Sequence, residues 1–435
     1  MKILSITAGA AGMYCGSCFR DNALAVELLA RGHDVTLVPL YTPTRTDETN
    51  VSRPDVLFGG ISVYLQQHSA LFRKTPRLLD RLWDSPRVIG LLAGHGVSND
   101  ARLLGDLTIS MLEGEHGVLR KEFEKLLDWT AHEPSPDVVN LPNSLLISLA
   151  APLRRALGRP VFCTLQGEEL FLGGLAPAYR ERSIALIRDQ VRHVDRFIAV
   201  SDYCADFMAR FLDIPEDRIS VVPLGINMTG YERRQTDPET FRVGYFARVA
   251  PEKGLHLLAD AYVRFRQHAP EARARLEVAG YLAASHRAYL QEARVILERA
   301  GLGNEFTAHG EVDRVGKVRF LGRLDVLSVP ATYDEPKGMF LLEAMACGVP
   351  VVQPRRGAFV EVVDRTGGGL LVEPDDRDAL AGGLHSLWTD RALAERLGRA
   401  AYDGVRAHYT VARSADRLIQ AYGAAQPTPT AGVAC

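Results

Sequence analysis

No apolar run in this 435-residue sequence reaches the length of about 20 residues that a bilayer-spanning helix needs, although 47% of its residues are hydrophobic. The opening run Lys2–Thr7 is too short for the core of a secretion signal, so the expected location is the cytoplasm. Cysteine is scarce. Its 6 residues show no regular spacing, which argues against a disulfide scaffold and fits reduced thiols. The formal charge is only −2, which argues against a general nucleic-acid binder. Two chemical signatures are also missing. The loop Gly9–Cys18 places Gly9, Ala11 and Tyr14 where a dinucleotide fingerprint requires glycine. No Asp-x-Asp pair ends a strand: Asp376-Arg377-Asp378 precedes a helical pattern and reads as a cap, so no metal site is expected. Cys15-x-x-Cys18 has no second cysteine pair and no thioredoxin-like context, which favours small residues packed beneath the loop over a redox or metal role.

What the sequence does have is an alternation of short apolar runs with amphipathic segments, the pattern of parallel sheets covered by helices. Strands are expected at Lys2–Thr7, Asp34–Pro39, Val138–Leu141, Val161–Leu165, Arg196–Val200 and Ile219–Val222. A second series follows at Arg242–Phe246, Ala274–Ala279, Glu305–Ala308, Val326–Pro330, Val349–Gln353 and Gly369–Val372. Two series imply an α/β chain of two doubly wound, Rossmann-like domains, at 1–225 and 241–404. The polar, aperiodic stretch within 226–240 is the expected linker. Ligands of such sheets bind outside the carboxyl ends of the strands. The cleft between the domains is therefore the expected active site. A helical insertion occupies about 59–136. Within it, Phe72–Leu82 alternates basic and apolar residues: peripheral contact with an anionic membrane is one reading, a salted surface helix the commoner one. The pattern is helical again from Tyr402 to Ala424, and the tail 425–435 is expected to be disordered.

Glu335-Pro336-Lys337-Gly338-Met339-Phe340-Leu341-Leu342-Glu343 is the densest stretch. A proline and a glycine make a turn, strong helix formers follow, and an acid stands at each end. Eight residues of helix span roughly 12 Å, so the two carboxylates cannot share a proton and would grip different parts of a long ligand. A nucleoside diphosphate sugar has that length, with its phosphates over the helix N-terminus. A capped helix carrying two solvated acids is the plainer alternative.

Val243–Arg248, Glu252-Lys253-Gly254, Ile198–Ser201, Val221–Asn227 and Ala346–Val352 complete a pattern around that stretch. Together they resemble the retaining glycosyltransferases of family 4, whose Glu-x7-Glu motif matches Glu335 and Glu343. The resemblance covers nearly the whole chain and is strongest from about Asp195 to Glu373. It implies a GT-B fold, two Rossmann-like domains facing a cleft, with the end of the helix 405–424 crossing back to the first. It also implies transfer of a sugar, with retention, from a nucleotide-sugar donor, UDP- or GDP-linked by preference, to a glycan, lipid or small-molecule acceptor. No cofactor or essential metal is implied. Glu335 would hold the transferred sugar and Glu343 the ribose, while Gly338, Met339 and Phe340 would present backbone donors. Arg248 and Lys253 would neutralise the leaving diphosphate, and Gly12 would approach the donor phosphates.

Departures from the family pattern fall on the acceptor side. Gln166 stands where many members carry a histidine; it can bond a sugar hydroxyl but cannot shuttle a proton. Glu168 or Glu169 would then contact the acceptor. Asn140 and Asn143 place amides where histidines are expected, and Asn227 replaces a common aspartate. A front-face mechanism, with the departing phosphate oxygen taking the acceptor's proton, tolerates the missing base. A GT-B phosphorylase or sugar-nucleotide epimerase remains as an alternative, although the motifs single out no pyridoxal lysine. A non-catalytic sensor of nucleotide sugars is another.

Overall fold

The computed structural model describes residues 1–9, 16–58, 101–233 and 239–424. Gly12, Cys15, the segment Phe72–Leu82 and the tail from residue 425 lie outside the described residues. The chain forms two compact units, one of Met1–Pro223 with the residues from Ser414 onward, the other of Leu224–Arg413.

In the first unit, β1 (Lys2–Thr7), β2 (Asp34–Pro39), β3 (Val138–Leu141), β4 (Val161–Leu165), β5 (Arg196–Ala199) and β6 (Ile219–Val221) form a parallel sheet. The strand order is β2-β1-β3-β4-β5-β6, with Val139 opposite Val161 and Cys163 opposite Phe197. Every residue of β3 and β4 is buried, which is why both strands read as unbroken runs of mostly apolar residues. The helix Asp202–Leu212 starts where the Ser201 side chain accepts from Cys204 N at 3.0 Å. Tyr422, on the final helix, packs edge-on against Phe162 with ring centroids 4.6 Å apart.

The second unit repeats the plan with β7 (Phe241–Phe246), β8 (Ala274–Ala279), β9 (Phe306–Ala308), β10 (Val326–Leu327), β11 (Val351–Pro354) and β12 (Gly369–Val372). The order β12-β11-β10-β7-β8-β9 makes β7 and β10 neighbours, although β8 and β9 lie between them in sequence. Strand order reverses there. The crevice outside the carboxyl ends of β7 and β10 is thus where this topology places a ligand.

Two elements differ from expectation by more than two residues at an end. The strand expected over Val326–Pro330 pairs only through Val326 and Leu327. Ser328 N still reaches Gly244 O at 2.9 Å, but Ala331 N then turns back to Val329 O at 2.8 Å, and Pro330 has no N–H to offer. The terminal helical pattern is divided into Arg391–His408 and Val411–Ala424. Between them the backbone bonds to Ile226, with Ile226 N to Tyr409 O at 2.9 Å and Val411 N to Ile226 O at 3.1 Å. Groups spent on that bridge cannot continue a helical ladder. Among the described residues no helix is long and apolar enough to cross a membrane.

Candidate active site

The loop after β7 ends in a short 3₁₀ turn, Pro251–Lys253, closed by Gly254 in the left-handed conformation at φ 74°. A Cβ at Gly254 would lie 1.9 Å from Pro330 O, so only glycine lets this turn rest against the chain leaving β10. Thr332 N donates to Glu252 O at 2.9 Å and fastens the same two loops. Their approach brings Lys253 to Glu335, where the ammonium donates to Oε2. Tyr333 completes the group: its hydroxyl accepts from Lys253 Nζ at 2.6 Å and donates to Glu335 Oε2.

Glu335 is 5% exposed. Burial on its own would raise its carboxyl, but the Lys253 charge and the hydrogen bonds from Lys253 and Tyr333 outweigh burial and hold it at about 2, against an ordinary 4.5. The acid is therefore ionised at neutral pH. Burial, followed by the Glu335 charge and hydrogen bond, pushes the Tyr333 phenol far up, so it remains a protonated donor. Glu335 is fixed through its backbone as well, since Ala358 N donates to Glu335 O at 2.8 Å. Lys337 N reaches its Oε1 at 3.2 Å. The Lys253 ammonium also lies 5.5 Å from the centroid of the Phe340 ring.

Gly338, at φ 66°, turns the chain into the helix Met339–Ala346. Met339 and Phe340 follow Gly338 as the first residues of that helix, and Glu343 lies further along it. Glu343 is buried, and its Oε1 accepts from Lys317 Nζ at 2.6 Å and from the Tyr231 hydroxyl at 3.2 Å. Each acid of the motif thus has its own lysine. Arg248 does not join the Lys253–Glu335 group through a hydrogen bond of its own; it pairs with Glu252 at 2.7 Å on a half-exposed surface.

In the first unit, the loops after β3 and β4 are stitched by one buried carboxylate. Glu168 Oε1 accepts from Ser144 N and its Oε2 from Gln166 N, both at 2.7 Å. Each oxygen of Glu168, a residue expected on the acceptor side, thus accepts from one backbone amide. Gln166 is buried with its Nε2 donating to Pro142 O at 2.7 Å. Glu169, half-buried, follows in the first turn of the helix Glu168–Gly173. Asp376 caps its helix as the spacing suggests, accepting from Asp378 N and Ala379 N at 2.9 and 2.8 Å. Among the described residues no group of three or more His, Cys, Asp or Glu side chains is arranged to hold a metal ion.

Sequence reasoning misses Tyr333, Lys317 and Tyr231. Tyr333 stands two residues before Glu335 and could have been found as part of that loop. Lys317 and Tyr231 carry no local signal.

Two family models match consecutive parts of the chain, the glycosyl transferase 4-like domain over residues 22–225 and glycosyl transferases group 1 over residues 232–404. The chain belongs to the group 1 glycosyltransferases. Among curated relatives, it is 29% identical to the D-inositol 3-phosphate glycosyltransferase of Pseudarthrobacter chlorophenolicus over 236 residues, 52% of this chain and 53% of that one. It is 31% identical to the lipopolysaccharide core biosynthesis mannosyltransferase LpsB of Rhizobium meliloti over 229 residues, 49% of this chain and 60% of that one. The chain thus spans 53% and 60% of the lengths of these relatives. Among solved structures, sucrose-phosphate synthase from Thermosynechococcus elongatus aligns with a TM-score of 0.72 at 18% identity, covering 97% of this chain and 98% of that one. HepE from Anabaena, in complex with UDP and glucose, aligns with a TM-score of 0.67 at 19% identity, covering 97% and 99%. The fold of this group 1 glycosyltransferase is GT-B.

Proposed function

We infer that the protein transfers a sugar from a nucleoside diphosphate carrier to an acceptor hydroxyl, with retention at the anomeric carbon. The observation that carries this reading is the Lys253–Glu335 pair, a cation and an ionised acid held together at the strand-order reversal of the second sheet. The helix Met339–Ala346, capped by Gly338, begins one short turn after Glu335. A helix start favours phosphate. When the bond between the anomeric carbon and the phosphate oxygen breaks, its electron pair stays on that oxygen, and Lys253 neutralises the growing charge. Arg248 can exchange its Glu252 partner for phosphate at little cost, because exposed ion pairs are worth about 0–1 kcal/mol. Glu335, kept ionised, opposes the positive charge developing on the sugar ring. The acceptor oxygen then bonds the anomeric carbon from the face the phosphate leaves, and its proton passes to the departing phosphate oxygen. No protein base is required, which accommodates Gln166.

Glu343 is assigned to the ribose. UDP- and GDP-sugars are the preferred donors, and UDP-glucose is the first to test because HepE is described in complex with it. The acceptor is a hydroxyl of a glycan, a lipid or a small molecule. The test is release of nucleoside diphosphate from UDP-, GDP- and ADP-sugars with oligosaccharide and lipid acceptors. Turnover of at least one donor is expected, with roughly half or more retained in EDTA, since the described residues include no metal ligand set. Binding of a donor without release under any of these conditions would make the protein a sensor and overturn the enzyme reading.

A further inference from the structure

Lys317 is a buried charge that the reaction scheme leaves unused. It sits on the helix Arg314–Leu321, which Asp313 caps by accepting from Gly316 N at 2.7 Å. Its side chain is 6% exposed, and that of its partner Glu343 is 9% exposed. Lys317 Nζ and the Tyr231 hydroxyl donate to the same carboxylate oxygen, Glu343 Oε1. Two donors converging on one oxygen fix the rotation of the carboxylate.

The frame around this group is built to the same end. Arg314, three residues before Lys317 and so on the same helix face, donates to Asn227 O at 3.0 Å and Thr229 O at 2.8 Å. Its guanidinium lies 5.2 Å from the centroid of the Tyr231 ring. Arg406 holds the other side, donating to Tyr231 O at 3.1 Å and to Ala346 O at 3.4 Å. Tyr231 is thereby gripped through its ring and its backbone, and its hydroxyl is delivered to Glu343. Fold stability alone does not explain so much charge: replacing a buried ion pair by packed apolar residues of similar volume is often neutral or stabilising.

We propose that Lys317 is a positioning residue for the donor, holding Glu343 Oε1 together with Tyr231 so that Oε2 is left to accept from the ribose hydroxyls. This rests on the assignment of Glu343 to the ribose made above. Loss of Lys317 then lets the carboxylate turn, and the protein ceases to distinguish a ribose from a sugar lacking those hydroxyls. Phosphate affinity, set at the other end of the motif, is untouched.

The experiment is calorimetric titration of the full chain with UDP, GDP and ADP, followed by the 2′,3′-dideoxy form of the tightest binder. Wild type should prefer the ribose form by roughly tenfold or more, as expected for hydrogen bonds to a charged acceptor. In Lys317→Met the preference should fall below about threefold, with the dideoxy form bound nearly as in wild type. Lys317→Gln, neutral but polar, should behave alike and carries the test if the Met variant does not fold. Lys317→Arg, which keeps the charge, should recover part of the preference. Undiminished preference in the folded neutral variant overturns the positioning role while leaving the ribose assignment intact. Absence of any preference in wild type overturns the ribose assignment itself, and the positioning role with it.

Discussion

Lys253 and Glu335, 82 residues apart in sequence, meet in an ion pair whose side chains are 12% and 6% exposed. The pair ties the loop after β7 to the loop after β10. It also gives the fold a pH dependence of definite sign. The Glu335 carboxyl is depressed to about 2 from 4.5, so the folded state gains from its ionisation above 4.5 and loses that gain as the pH falls toward 2. Thermal unfolding followed from pH 6 to pH 3 should show wild type losing stability below pH 4.5 more steeply than Glu335→Gln. Parallel curves would mean that the pair does not contribute.

Arg248 and Lys253 share a task in the proposed reaction but differ in structure. Removing an electrostatic stabiliser of a developing anion lowers kcat by roughly 10²-fold or more, and this is expected for both Arg248→Ala and Lys253→Ala. Only Lys253→Ala should also lower the melting temperature, since it strands the buried Glu335 charge. Arg248 is half-exposed and its loss should hardly affect folding. Near-wild-type kcat in both variants would remove them from the chemistry.

Glu168 is expected to matter for folding. Its two oxygens satisfy the backbone amides of Ser144 and Gln166 in a buried setting, and hydrogen bonds to a charged group are worth about 1.5–3 kcal/mol each. Glu168→Ala should therefore destabilise the protein by about 2 kcal/mol or more in urea unfolding. Unchanged stability with a raised acceptor KM would return Glu168 to the role of acceptor ligand.

How far the sequence discloses the site follows from the physics of each part. β3 and β4 are readable because strands buried on both faces appear as unbroken runs of mostly apolar residues. Glu335 and Glu343 are readable because an acid, a proline, a glycine and a helix start fall within nine residues. Lys317 is not: it pairs across 26 residues and, within an eight-residue helix bearing Arg314 and Arg319, looks like one more surface cation. Tyr231 pairs across 112 residues from a polar segment without periodicity. The part Glu168 plays in joining the loops after β3 and β4 is hidden as well, since the amides of Ser144 and Gln166 come to its carboxylate only in the folded loops. The break at Tyr409–Thr410 is equally hidden, since it depends on a bridge to Ile226.

Steady-state kinetics of Glu335→Gln and Glu343→Gln with the cognate donor, after circular dichroism has shown both to be folded, tests the central claim most directly. In the proposed scheme Glu335 opposes charge that develops only as the sugar leaves, so its variant should chiefly lower kcat, by about 2 to 4 kcal/mol in barrier terms. In that scheme Glu343 holds the ribose equally before and during reaction, so its variant should chiefly raise donor KM. If Glu335→Gln changes only KM, or Glu343→Gln only kcat, the roles of the two acids are reversed or the donor binds elsewhere.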